Sequence, residues 1–491
     1  YDDMPDVTGT INGSLSAEYK AFLRSTITDF LHWQADIVSE YITKDRFITH
    51  NFDFSWTTHS FGIHPEVDQK ECATCMDIAG TDIYHLSQDE LDGAMIAFGG
   101  AVGRSLKKTG YLVLETQAQG QVNWLPYPGQ LRLQAYAHIA SGARSVMYWN
   151  WHSIHNAIES YWKGVLSHNL SPGVIYDEAS RFRHEMLDME KDLVLSEKKA
   201  DTAILIDRRS LVGIDEFPFE TGDEEGQYNE VLRTIYDTLY KMNIETDLVY
   251  KDDDFSSYRV LIAPMLYSVS DETIKKLRSY VENGGHLVLT IRSLFADRYL
   301  KIYPDDAPHS FTDVTGMTYD CFTTKEDVDI TFTDFGLSGS IKSHRCKNWI
   351  ELLKPATADV WATYDHYAYQ GYAAITHKRY GRGRTTYIGT HLDEAGYIDV
   401  FEKIYQVSDI RPCDLKFPII KRTGKNLNNK NIEYYFNFSE EEKYITYTED
   451  NGTLLLSDDE NKPVNIRSGD NIYIKPWSLA IIRREDTYEG K

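Results

Sequence analysis

Apolar and polar positions change period twice along this chain, dividing it into three stretches. Up to about residue 195, short apolar runs alternate with segments whose apolar residues recur at helical spacing. The spacing of Phe, Leu, Trp and Ile predicts a helix over 22–41, and further helices over 91–105 and 130–143, the last stopped by Gly142. Between them, strands are predicted over 46–52, 77–85, 111–115 and 145–151. Each strand ends in His, Asn, Tyr, Glu or Trp, so polar and aromatic groups gather at one end of a parallel sheet. That is how a (β/α)8 barrel places its chemistry. Four strands are countable here, where a closed barrel needs eight.

From 200 to about 412, strands over 202–207, 258–264 and 286–291 alternate with helices over 229–242 and 270–283. The latter opens with Ser270, Asp271 and Glu272 and stops at Gly284-Gly285. Two successive βαβ steps predict a parallel, doubly wound sheet. Gly284-Gly285 precedes a strand rather than a helix, so it makes a poor phosphate cradle. No Cys or Ser nucleophile sits on a strand-to-helix elbow here: the turn Leu289-Thr-Ile-Arg292 carries no thiol. This unit therefore reads as an interaction or assembly domain. From about 417 onward, short alternating strands separated by Asn451-Gly452 and Ser468-Gly469 predict a small antiparallel β domain. The expected domains are 1–198, 199–413 and 414–491.

Composition narrows the function. The formal charge of −24 opposes binding to nucleic acid or to an anionic membrane surface. No run approaches the ~20 apolar residues of a membrane helix. Aromatic residues are abundant (34 Tyr, 20 Phe and 9 Trp), which suits clefts where flat rings meet sugar C–H faces and also suits ordinary cores. Five cysteines, an odd number, fit reduced thiols and a cytoplasmic setting. Cys72 and Cys75 form one C-x-x-C, but no second pair follows at usable spacing. They read as free thiols beside a helix, and no metal is expected.

The residue that carries most chemistry is Glu115, a carboxylate at the C-terminal end of the apolar run 111–114, followed by Asn123-Trp124. A Glu in that place, near a Trp able to stack on a sugar ring, suits the nucleophile of a retaining glycosidase. A strand-terminal Glu can equally be a solvated or salt-bridged side chain. Its company favours chemistry: Trp149-Asn-Trp-His152 ends the next strand, Glu159 and Trp162 follow, and His50-Asn51 and Tyr84-His85 sit at the ends of the earlier two.

On these residues the chain resembles the family-42 glycoside hydrolases, the LacA-type β-galactosidases. The resemblance runs through Leu114-Glu-Thr-Gln-Ala-Gln-Gly-Gln-Val-Asn-Trp124, Leu131-Arg-Leu-Gln-Ala-Tyr-Ala-His-Ile-Ala-Ser-Gly-Ala143, Val146-Met-Tyr-Trp-Asn-Trp151, Glu159 and Gly164-Val-Leu-Ser-His168. It implies the late strands of a (β/α)8 barrel, then a flavodoxin-like, amidotransferase-like α/β domain that forms trimers, then a small β domain. It implies retaining hydrolysis of terminal β-galactosides with no cofactor. Glu115 would be the nucleophile, Tyr84 its support, and Trp124 and Glu159 would contact the sugar, with Trp149 and Trp162 in the same pocket. Trp162 stands where the family usually has His, which implies an altered pocket or leaving-group preference. The family's acid/base Glu follows an Asn at the end of the fourth barrel strand, and residues 1–195 hold no such Asn-Glu. Residues 1–7 match the stretch after that strand, so the first half of the barrel, with the acid/base residue, is expected to lie outside this chain. The competing readings are a carbohydrate-binding or assembly fragment without turnover, a related glycosidase such as an arabinopyranosidase, and an amidotransferase-like enzyme, which the missing thiol elbow disfavours.

Overall fold

Four short parallel strands open the fold. The computed structural model describes residues 13–54, 61–119, 125–218, 227–324, 327–333, 343–449, 451–458 and 463–484. Strands β1 (Asn51–Phe52), β2 (Gly80–Asp82), β3 (Tyr111–Gln117) and β4 (Ala143–Trp149) pair in sequence order, all parallel. Parallel neighbours need crossovers. Helix Ala94–Lys107 joins β2 to β3, and helix Gln130–Ala140 joins β3 to β4. The first two strands are shorter than the apolar runs that predict them, because pairing ends where the chain leaves for its loops. Helix Gly13–Ser39 precedes the sheet, and several of the apolar residues that predict it, Phe22, Phe30 and Trp33 among them, are exposed. Helix Val174–Leu193, for which no expectation was drawn, follows β4.

Helix Gln130–Ala140 is buried along its whole length, polar residues included. It lies between the first unit and the C-terminal sheet, touching β4 on one side and strands Ile419–Asn426, Asn431–Asn437 and Ser478–Arg484 on the other. A helix buried all round shows little amphipathic signal. Some of its polar side chains are matched: Arg132 Nε donates to Glu185 at 2.8 Å, and Gln130 Nε2 to the Gln88 carbonyl at 2.9 Å. Both ring nitrogens of His138 are buried with no hydrogen-bond partner among the described residues.

The second sheet corrects the expectation of a wholly parallel, doubly wound unit. Strands Thr246–Tyr250, Thr202–Ile206, Val260–Ala263, His286–Thr290 and Gly383–Ile388 are parallel neighbours. The sheet then continues antiparallel through Ala373–Tyr380, Asp359–Asp365, Asp329–Phe332, Ser343–Glu351 and Phe322–Thr323. The three central parallel strands, Thr202–Ile206, Val260–Ala263 and His286–Thr290, are buried at every position and are therefore conspicuous. Among the antiparallel ones, Asp329–Phe332 alternates partly exposed and buried residues, with Asp329 and Thr331 on the more open face.

The third sheet is antiparallel, in the order Val464–Arg467, Asn451–Leu456, Ser478–Arg484, Asn431–Asn437, Ile419–Asn426 and Leu195–Glu197. A two-stranded ribbon, Lys443–Thr446 with Asn471–Ile474, accompanies it. Leu195–Glu197, expected at the tail of the first unit, is an edge strand of this sheet. Among the described residues no helix is long and apolar enough to cross a membrane.

One ammonium group ties the three sheets together. Lys198 Nζ donates to the Ala140 carbonyl at 2.9 Å, to Glu245 Oε1 at 3.0 Å and to the Thr423 carbonyl at 3.4 Å. These belong to the first, second and third units in turn. Only 6% of the Lys198 side chain is exposed. Burial pulls its ammonium down to about 8, against the attraction of Glu245, which leaves it charged at neutral pH. Removing one partner of a buried pair strands the other charge. K198M is therefore expected to cost about 3–5 kcal/mol in denaturant unfolding at pH 7. E245Q added to K198M should recover part of that loss. Equal stability of K198M and the parent would contradict the account.

Candidate active site

The C-terminal ends of the four parallel strands bring together side chains far apart in the chain. On β3 the register slips by one residue against β2, where Thr81 pairs with Val113 but Asp82 pairs with Glu115. It slips again against β4, where Val113 pairs with Val146 and Thr116 with Tyr148. An extra residue in one strand re-aims a side chain, and such bulges recur beside active sites. Here the slip falls at Leu114 and Glu115.

The re-aimed carboxylate is half-buried and held at both oxygens. Tyr84 Oη donates to Glu115 Oε1 at 2.9 Å, and Asn51 Nδ2 donates to Glu115 Oε2 at 3.0 Å. Each donor comes from another strand end, Asn51 from β1 and Tyr84 from just beyond β2. Hydrogen bonds to an ionised carboxylate are among the strong ones and fix its plane. Burial, then the bond to Glu115, then the charges of Glu115, Asp82 and Glu159 push the Tyr84 phenol above its ordinary range, so it remains a donor.

The other expected residues divide. Trp162 is near the cluster, its ring edge-on to Tyr84 with centroids 5.2 Å apart and planes at 85°. Trp149 ends β4, in register with Gln117 and 37% exposed. Glu159 is exposed on the following turn and reaches the cluster through its charge. Trp124 lies outside the described residues. His85 is buried and turned away: its Nδ1 lies 3.0 Å from the Leu86 carbonyl and 3.1 Å from Gln117 Nε2. Among the described residues no group of three or more His, Cys, Asp or Glu side chains is placed to share a metal ion. All five cysteines are unpaired.

Asp82 is the residue sequence reasoning passed over. It stands beside Glu115 in the sheet, and its Oδ1 is buried with no hydrogen-bond partner among the described residues. Burial, then the charges of Glu115 and Asp53, push its carboxyl up to about 8. The signal was available: Asp82 and Tyr84 are two apart in an extended segment and so share a face.

Comparisons with known proteins give the family. A family model described as β-galactosidase, of glycoside hydrolase family 42, matches residues 3–189, and one described as the β-galactosidase trimerisation domain matches residues 200–411. The chain belongs to glycoside hydrolase family 42. It is 27% identical over 458 residues to the β-galactosidase LacZ of Lactobacillus acidophilus, covering 90% of this chain and 66% of that protein. It is 26% identical over 491 residues to the β-galactosidase bgaB of Geobacillus kaustophilus, covering 97% and 68%. The chain thus spans about two thirds of the length of these curated relatives. The same fold is seen in Gan42B, a GH42 β-galactosidase of G. stearothermophilus, with a TM-score of 0.87 at 23% identity over 99% of this chain and 71% of that one. It is also seen in the β-galactosidase of Bacillus circulans sp. alkalophilus, with a TM-score of 0.84 at 22% identity over 96% and 68%.

The raised Asp82 carboxyl has a pH signature. It binds its proton more tightly in the folded state than in the unfolded chain, whose ordinary value is 3.8. Its contribution to stability is complete below about pH 4 and is lost as pH rises towards 8. D82N has no proton to lose. It should match the parent in Tm near pH 4 and exceed it by a margin that grows up to pH 8, in paired thermal melts. A margin independent of pH would contradict the assignment.

Proposed function

We propose that this chain supplies the nucleophile of a retaining glycoside hydrolase that releases terminal β-D-galactose from β-galactosides. The observation that carries the reading is the carboxylate of Glu115, aimed by a strand bulge and held at both oxygens by Asn51 and Tyr84. In the first step a Glu115 oxygen attacks the anomeric carbon. The bond from that carbon to the leaving oxygen breaks, and its electron pair stays with the oxygen, which takes a proton from an acid. Water, giving up a proton to the conjugate base of that acid, then attacks the same carbon and displaces the Glu115 carboxylate, so the configuration is retained. The acid is not assigned to any residue of this chain. Tyr84 and Asn51 hold the nucleophile, while Glu159, Trp149, Trp162 and Trp124 make the sugar site. The chemistry requires neither a metal nor an organic cofactor.

Residues 1–198 are read as the late part of the catalytic barrel, 199–413 as a flavodoxin-like assembly domain and 414–491 as a β domain. The match of residues 200–411 to the trimerisation model supports a homotrimer. Five unpaired cysteines fit a reducing, cytoplasmic setting. Because Trp162 stands where the resemblance expects His, an arabinopyranoside belongs beside the galactoside in the assay.

The test uses 2,4-dinitrophenyl β-galactoside, whose leaving group departs without an acid. E115A should lower turnover by at least about 10³-fold. Added azide should restore it, with α-galactosyl azide as the product. Unchanged turnover in E115A, or azide with no effect, would reject the assignment.

A further inference from the structure

The loop after β4 folds back on itself, and one imidazole closes it. His168 Nε2 lies 3.1 Å from the Ile154 carbonyl and 2.8 Å from the Ser160 carbonyl. A single N–H directed between the two clasps both ends of the 154–160 stretch. His155 Nε2 in turn lies 2.7 Å from the His168 carbonyl, with the two rings 5.5 Å apart.

The base of the loop is rigid. Ser153 is fully buried, its Oγ donating to the Leu166 carbonyl at 3.0 Å and accepting from the Gly164 amide at 3.1 Å. Gly164 sits where a Cβ would come within 2.5 Å of the Asn150 carbonyl, so no side chain fits there. Its carbonyl accepts from Gln119 Nε2 at 2.6 Å, which ties the loop to the segment after β3.

What this loop presents to the site is Trp162. Its amide donates to the Glu159 carbonyl at 2.8 Å, and its carbonyl accepts from the Ile154 amide at 3.1 Å. The indole packs edge-on against Tyr84, yet its own Nε1 is buried with no hydrogen-bond partner among the described residues. The folded loop holds the ring in place. A continuous path of contacts therefore runs from His168, through the 154–162 turn and the indole, to the Tyr84 hydroxyl on Glu115.

We propose that His168 is a positioning residue for the nucleophile: by clasping Ile154 and Ser160 it keeps the Trp162 indole on Tyr84, and so keeps the Tyr84 hydroxyl on Glu115. The inference rests on the reading of Glu115 given above. Small displacements of a reacting group cost large factors in rate, so a remote clasp can govern the chemical step without touching the sugar.

Two readouts on the full chain separate the two claims. 3-Fluorotyrosine at position 84 reports the phenol's surroundings by 19F NMR. Labelling of the Glu115 peptide by 2,4-dinitrophenyl 2-deoxy-2-fluoro-β-galactoside reports the attack. H168A should shift the fluorine resonance and slow labelling at saturating reagent by roughly 10- to 100-fold. The half-saturating concentration should move by less than about threefold. H168Q, which keeps an N–H donor, should recover most of both. W162A leaves the clasp intact and should give the same two changes even if H168A folds poorly. In a Y84F background H168A should slow labelling by less than about twofold more, because the path is already cut. A resonance and a rate indifferent to H168A and W162A, or losses that multiply in Y84F, would overturn the positioning role. An unlabelled Glu115 in the unaltered chain, with the resonance still answering to H168A, would overturn the nucleophile reading instead.

Discussion

The Glu115 carboxylate is held by donors from two other strand ends, and the geometry of the site depends on that arrangement. A bulge points the side chain out of β3; Asn51 and Tyr84 then fix one oxygen each. Neither donor is near Glu115 in sequence, so the grip exists only when β1, β2 and β3 pair in register. The sheet is thus a device for bringing two N–H or O–H groups to one carboxylate. Asp82, beside it, is a carboxyl pushed towards its neutral form by the same crowding.

The grip in turn needs a stable platform. Helix Gln130–Ala140, between β3 and β4, is enclosed by the C-terminal sheet, and Lys198 bonds to that helix, to the second unit and to the third at once. Asn229 adds a second tie, its side chain bonding both the amide and the carbonyl of Ile63 across the first interface. A strand end is a precise place for a functional group only when the strand itself cannot shift. The two later units act on the site in this indirect way, by holding the layers beneath it.

Much of this was legible in the sequence for a physical reason. Buried parallel strands are unbroken apolar runs, and a polar residue at the end of one stands out, which is how Glu115 and Tyr84 were found. The same contrast hid other parts. The strands over 317–380 carry many Thr, Asp and Tyr among their apolar residues, so they blend into loops. Helix Val174–Leu193 carries charge on its open face and only Ile175, Phe182 and Leu193 as fully buried positions. Asp82 was passed over because its importance comes from a neighbour on another strand. Nothing in the sequence singles out Lys198; only the meeting of three units makes it a buried cation.

Soaking the chain with an activated 2-deoxy-2-fluoro-β-galactoside and solving its crystal structure tests the central claim most directly. The account predicts a covalent bond between a Glu115 oxygen and the anomeric carbon, with the sugar in the α configuration and Tyr84 and Asn51 still flanking the carboxyl group. A sugar bonded to another carboxylate, or seated away from the strand ends with Glu115 free, would contradict it.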